Sequence, residues 1–230
     1  KLMLEEGRTM FALSHKKGLQ YFINSGLCAN TPASIANFLR TTPGLDLAGI
    51  GELIGGPKDL NKAVLHAYVD AFQFKGMELD LALREFLFHF RIPGEAAVID
   101  RILEKFAERY YAQNNHSIFP SADAAYVMSF SIMMLSTDLH SQAQKKKMTK
   151  AECLENNRKY IPGMAENWDE AYMSALFDRI AALPFQLQGD PARGAGGGTP
   201  TANDLSDPLQ RQMAFMQETQ QPAKDSQAAL

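Results

Sequence analysis

The segment Phe90-Arg91-Ile92-Pro93-Gly94-Glu95, read with Ser121-Ala122-Asp123-Ala124-Ala125-Tyr126 further along, decides how this chain is understood. The first places a carboxylate just past a rigid Pro-Gly corner, at the start of a long helix. In that helix Ile99, Ile102, Leu103, Phe106 and Tyr110 form one apolar face. Asp100, Glu104 and Glu108 make one row of its other face, and Arg101, Lys105 and Arg109 the next. The spacing suits a pair within the helix between Arg101 and Glu104. The second segment opens a helix from about Ala122 to Asp138. Tyr126, Phe130, Met133, Met134 and Thr137 share one side of it, while Ala125, Val127, Met128, Ile132 and Leu135 cover most of the rest. A helix apolar nearly all round sits in the middle of a domain, or exposes one side for a partner.

Helical periodicity continues outward in both directions, and no strand alternation competes with it. Met10, Leu13, Gly18 and Tyr21-Phe22-Ile23 fit a single first helix that fades near Gly26. Thr31 followed by Pro32 reads as an N-cap and a first-turn proline, opening a helix that ends before Pro43-Gly44. Further helices are expected over Leu45–Ile54, from beyond Pro57 to about Phe72, and over Leu79–Phe90. Thr149 and Glu152 have capping-box spacing. The last helix runs from about Trp168 to Ala182, before Pro184. Short helices with short connections pack one on the next, which predicts an all-α fold.

Hydrophobic residues make up 46% of the chain, enough for a sizeable core. They are unevenly placed, because from Gly189 onward the only aromatic residue is Phe215. The expectation is a domain over 1–188 and a mostly disordered Gly/Pro/Gln-rich tail over 189–230. The tail's one candidate for structure is a short helix near 208–217, begun by Asp207 and Pro208 and carrying Leu209, Met213 and Met216, though so short a helix is marginal alone. A net charge of –3 gives no sign of a nucleic-acid partner. Cys28 and Cys153 read as buried thiols of a reduced, intracellular protein. The five histidines show no metal-ligand spacing, no Gly-rich loop joins a strand to a helix, and Ser129, Ser131 and Ser136 have no base in evidence. Neither cofactor nor metal is expected, nor any bond-making chemistry. No apolar run reaches the ~18 residues of a membrane span. A chain that begins at Lys1 reads as a piece of a longer protein.

Taken singly, Glu95 is a first-turn carboxylate, Met133 and Met134 are core, and Lys145-Lys146-Lys147 is a solvated loop. Their combination says more. Residues 90–101 and 121–140 resemble the two signature segments of the Sec-seven (Sec7) family, the exchange domains that release GDP from Arf-type small GTPases. Ile35–Leu39 and Ile50–Gly55 resemble its early helices, and Met148-Thr149 and Leu183-Pro184-Phe185 its late landmarks. The resemblance covers about 6–188.

It implies a right-handed superhelix of about ten short helices, with a hydrophobic groove in its second half. By the same resemblance Glu95 is the catalytic glutamic finger. Tyr126, Phe130, Met133 and Met134 line the groove for the GTPase, and Asp100 and Ser141 also contact it. Ser136 and Ser141 depart from the family's usual Asn, a longer side chain with more donors. The family's inhibitor brefeldin A is expected at Phe130, Ser131, Asp138 and Met148, with partial sensitivity because Phe130 resembles resistant members. The implied protein is cytoplasmic, recruited peripherally to Golgi or endosomal membranes through its GTPase or through flanking domains, and serves vesicle trafficking. A scaffold that docks a GTPase without exchange is the alternative, and an unrelated helical-repeat adaptor a more distant one.

Overall fold

The computed structural model describes residues 2–114, 118–142 and 146–185. The tail from 189, its candidate short helix near 208–217, His116 and Lys145 lie outside them. Among the described residues the chain is all-α, with ten helices. These are α1 (Leu2–Leu13), α2 (His15–Asn24), α3 (Pro32–Thr41), α4 (Leu47–Ile54) and α5 (Asp59–Asp70), then α6 (Leu79–Phe88), α7 (Ala96–Gln113), α8 (Ala122–His140), α9 (Lys150–Tyr160) and α10 (Glu170–Ala182). No helix among the described residues is long and apolar enough to cross a membrane.

The expected single first helix is in fact two. Ser14 leaves the helical region at φ –161° and ψ 107°, and its side chain caps α2 at the Lys17 N–H. Tertiary packing imposes the break. A Cβ at Gly18 would lie 2.3 Å from the Phe11 Cα, and one at Gly7 would lie 2.1 Å from the Phe22 ring. The two glycines let α1 and α2 close on each other, which a continuous helix forbids. The other expected signals hold. Thr31 caps α3 with Pro32 in its first turn, and Thr149 with Glu152 forms a complete capping box on α9. The expected Leu79–Phe90 helix stops at Phe88, and Asp46 caps α4 by accepting from the Gly49 N–H at 2.6 Å.

The core is aromatic along its middle. Phe72 stacks on Phe74 at 5.5 Å and Phe86 on Phe106 at 5.3 Å, while Phe86 meets Phe90 edge-on at 5.0 Å. Both cysteines are buried and free. Burial pushes the Cys153 thiol up to about 12, so it is an inert core group. The C-terminal end of the domain is held by polar contacts. Fully buried Asp80 on α6 receives a two-point bond from Arg179 on α10, at 2.7 and 3.0 Å. Arg84 lies over the Phe185 ring at 4.1 Å, and the Phe185 N–H donates to the buried Ser136 hydroxyl at 3.0 Å.

Removing one partner of a buried ion pair strands the other, at a cost of about 3–5 kcal/mol. The Arg179 side chain is 30% exposed, and it also pairs with Glu78. Asp80→Ala is therefore expected to lose about 2–3 kcal/mol in urea unfolding. A loss under about 1 kcal/mol, the scale of an exposed pair, would show that the bond does not lock α6 to α10.

Candidate functional site

The loop that carries Glu95 is strung between two buried anchors, Phe90 and Val98, which are 1% and 8% exposed. Arg91 and residues 94–97 between them are exposed. The first half of the loop lies on α4: the Arg91 N–H donates to the Leu47 carbonyl at 2.9 Å, and a Cβ at Gly51 would stand 1.9 Å from the Arg91 oxygen. Only glycine allows that approach. One turn later in α4, a Cβ at Gly55 would meet Val98 Cγ1 at 2.3 Å. Gly51 and Gly55, four residues apart on one face, thus form the seat on which the loop and the first turn of α7 rest.

Glu95 occupies the N-cap position of α7, yet its side chain makes no capping hydrogen bond. An N-cap residue usually satisfies one of the first N–H groups of its helix. Here the carbonyl of Glu95 accepts from Val98 and Ile99 at 3.1 Å each, while its carboxylate is left in solvent. Its charge at the N-terminus of α7 still suits the helix dipole, but it satisfies none of the first N–H groups directly. Gly94, beside it, has only open space where a Cβ would be, so nothing inside the domain requires glycine there.

α8 is buried on every side but one. Tyr126, Phe130, Met133 and Met134 are half-buried and Thr137 is exposed, whereas Ala124, Ala125, Val127, Met128, Ile132 and Leu135 are buried. The side singled out by periodicity is therefore the one that faces outward. Asp100 ties it to α7, its Oδ1 accepting from the Tyr126 hydroxyl at 3.3 Å. Asp100 is five residues beyond Glu95, about 7 Å along the helix axis. Asp100 thus links the stripe of α8 to the first turns of the helix that Glu95 begins.

The remaining expected site residues divide between surface and interior. Ser131 and Asp138 are buried on the far side of α8: Ser131 donates to Asn157 Oδ1 at 2.8 Å, and Asp138 Oδ2 accepts from the Met148 N–H at 2.7 Å. Phe130 and Met148 are half-buried. Ser141 is the C-cap of α8, and its carbonyl accepts from Lys147, which also donates to the Asp138 carbonyl at 2.6 Å. Lys147 is thus a cation on the C-terminal carbonyls of α8 rather than a solvated loop charge. Arg101 is likewise not an intrahelical partner of Glu104 but reaches back to the Gly55 and Gly56 carbonyls at the end of α4. Sequence reading missed the seat on α4; its signal was the four-residue spacing of Gly51 and Gly55. Among the described residues no group of three His, Cys, Asp or Glu side chains could hold a metal ion.

Burial raises the Asp100 carboxyl above its ordinary 3.8, and the Tyr126 hydrogen bond pulls it partly back. The Tyr126 hydroxyl is itself raised, by burial first and then by the Asp100 charge. A carboxyl raised on folding binds more protons folded than unfolded. Its contribution to stability is fully present below the unfolded value and is lost as pH rises through the folded one. Asn at position 100 keeps the acceptor without the charge, so Asp100→Asn is expected to melt at or above the native temperature at neutral pH. That difference should shrink as pH falls below 3.8. Thermal unfolding across this range checks it, and a variant less stable at neutral pH would contradict it.

The family model of the Sec7 domain matches residues 1–185. The chain is 44% identical over 193 residues to brefeldin A-inhibited guanine nucleotide-exchange protein 2 of Arabidopsis thaliana, covering 84% of this chain and 11% of that protein. It is 39% identical over 233 residues to brefeldin A-inhibited guanine nucleotide-exchange protein 1 of Bos taurus, covering all of this chain and 12% of that protein. The chain thus spans about a tenth of the length of these curated relatives. Among solved structures it resembles the Sec7p catalytic domain, with TM-score 0.72 and 43% identity, covering 78% of this chain and 96% of that one. It also resembles the Sec7 domain bound to ARF1-GDP and brefeldin A, with TM-score 0.73 and 33% identity, covering 80% and 93%.

Proposed function

This chain belongs to the Sec7 domain family, and from that premise we propose that it releases GDP from an Arf-type small GTPase, with Glu95 as its glutamic finger. The observation that carries the proposal is the exposed Glu95 residue, whose side chain makes no capping bond, held between the Phe90 and Val98 anchors at the start of the helix that Asp100 ties to the half-buried stripe of α8. A capping carboxylate would be turned into its own helix; this one is available to a partner. The partner's apolar switch surface would dock on Tyr126, Phe130, Met133 and Met134, with Asp100 and Ser141 at the margins.

Release is then electrostatic. Glu95, inserted beside the β-phosphate and the Mg²⁺ site, competes for the lysine that binds the phosphates and repels the nucleotide. One like-charge contact near 4 Å is worth about 4 kcal/mol at an effective dielectric of 20. That corresponds to roughly a thousandfold in release rate. Docking of the switch surface compensates for the lost nucleotide contacts. Linkage makes the coupling reciprocal, so GTP entering the empty pocket expels the exchange domain. No covalent bond is made or broken by this chain. Its place of action would be Golgi or endosomal membranes, reached through the GTPase or other parts of a larger protein, with vesicle trafficking as the process served.

Release of fluorescent GDP from Arf-type GTPases tests the reading. The native chain should accelerate release, and Glu95→Lys should lose that acceleration by about a hundredfold or more. Equal, slow release in both, with saturable binding retained, would leave a docking scaffold instead. Brefeldin A should slow exchange without abolishing it, given Ser131, Asp138 and Met148 together with Phe130. No response at saturating inhibitor would remove these four from the inhibitor site.

A further inference from the structure

We infer that Arg101 is the positioning residue for Glu95, holding the first turns of α7 on the C-terminal carbonyls of α4 so that the free carboxylate keeps its place under load. The inference rests on the exchange reading above and adds to it how the finger is braced.

The start of α7 has an unusual problem. Its N-cap side chain is turned outward, so its first N–H groups have no side-chain acceptor from Glu95. An uncapped helix end frays in the absence of other support. The two residues just before it offer little, since Gly94 and Glu95 are exposed and Gly94 touches nothing where a side chain would be. Support comes from α4. Val98 rests on Gly55, and the Arg101 guanidinium, less than two turns from Glu95, donates to the Gly55 and Gly56 carbonyls.

The chemistry at that contact suits a guanidinium. α4 ends at Ile54 with Gly55 as its C-cap, so these carbonyls belong to the negative end of the helix dipole. They are adjacent acceptors on glycines, unshielded by any Cβ, and one guanidinium nitrogen, Nη1, donates to both, the Gly56 bond being the longer at 3.4 Å. Asn61 adds a second side-chain donor to this helix end, bonding the Leu53 carbonyl at 2.6 Å. Arg101 thus completes the cap of one helix and fixes the start of another.

Such a brace matters when Glu95 is pushed against phosphate. The repulsion that loosens the nucleotide acts equally on the finger, and an unbraced first turn would yield instead of transmitting it. A misplacement of about 1 Å at a reacting centre can cost on the order of a hundredfold in rate. Docking on the α8 stripe does not pass through Arg101.

The test is steady-state GDP release from an Arf-type GTPase by the full chain, with Arg101→Ala, Glu95→Gln and the double variant. Arg101→Ala should lower kcat by about tenfold or more while KM for the GDP-bound GTPase moves less than about twofold, the pattern of an interaction felt only in the transition state. In the Glu95→Gln background the same substitution should change the residual rate by less than about twofold, because coupled residues are non-additive. An unchanged kcat, a raised KM at constant kcat, or full additivity in the double variant would overturn the positioning role. If Arg101→Ala does not fold at assay temperature, Arg101→Lys takes its place: an ammonium that keeps the charge but not the planar, rigid approach to the two carbonyls should give an intermediate kcat, and a native kcat would overturn the inference. Failure of the native chain to accelerate release would instead defeat the exchange reading, and the brace with it.

Discussion

One contact admits no side chain: the face of α4 at Gly51, against which the Arg91 carbonyl is laid so closely that a Cβ would fall at 1.9 Å. Everything that makes this surface more than a helix bundle depends on it. With the Arg91 backbone pinned there by its bond to the Leu47 carbonyl, the chain leaves the aromatic core at Phe90 and re-enters it at Val98 by a fixed route. The residues between are displayed on the outside of the domain without being left to wander. A larger residue at 51 would lift the loop from α4, and the start of α7 with it.

The second constraint is the asymmetry of α8. A helix buried around most of its circumference has little freedom to rotate, so its outward stripe is fixed by what the other sides must bury. Ala124, Ala125 and Met128 are wholly buried, and Ser131 is bonded to Asn157 on α9. The stripe of Tyr126, Phe130, Met133 and Met134 is what remains. Asp100 is carried there at a cost, because burial raises its carboxyl and only the Tyr126 hydroxyl offsets this.

Periodicity made most of this legible before any coordinates. The helices after the first, the Thr31 cap, the Thr149–Glu152 box and the outward side of α8 follow from spacing and cap chemistry, which are local. What was not legible is non-local. The break at Ser14 exists because Phe11 and Phe22 must be buried together through Gly7 and Gly18, and no feature near Ser14 announces that. Arg101 was misassigned for the same reason: the pair with Glu104 is the nearest in sequence, whereas its acceptors at Gly55 and Gly56 lie more than forty residues away, on another helix. Lys147 likewise read as loop charge until the end of α8 was placed beside it.

Ser136 and Ser141 carry different weights in the structure. Ser136 faces inward, and its hydroxyl accepts the Phe185 N–H, so the short side chain is satisfied by main chain at the end of the domain. It is not on the outward stripe, and its effect is confined to how the Leu183-Pro184-Phe185 segment is tied down beside Arg84. Ser141 is different. It terminates α8 at the edge of the outward surface, half-buried, with its carbonyl engaged by Lys147. A short side chain there changes what the domain can offer a partner while leaving the helix end intact. Of the two serines, only Ser141 lies where the proposed GTPase would meet it.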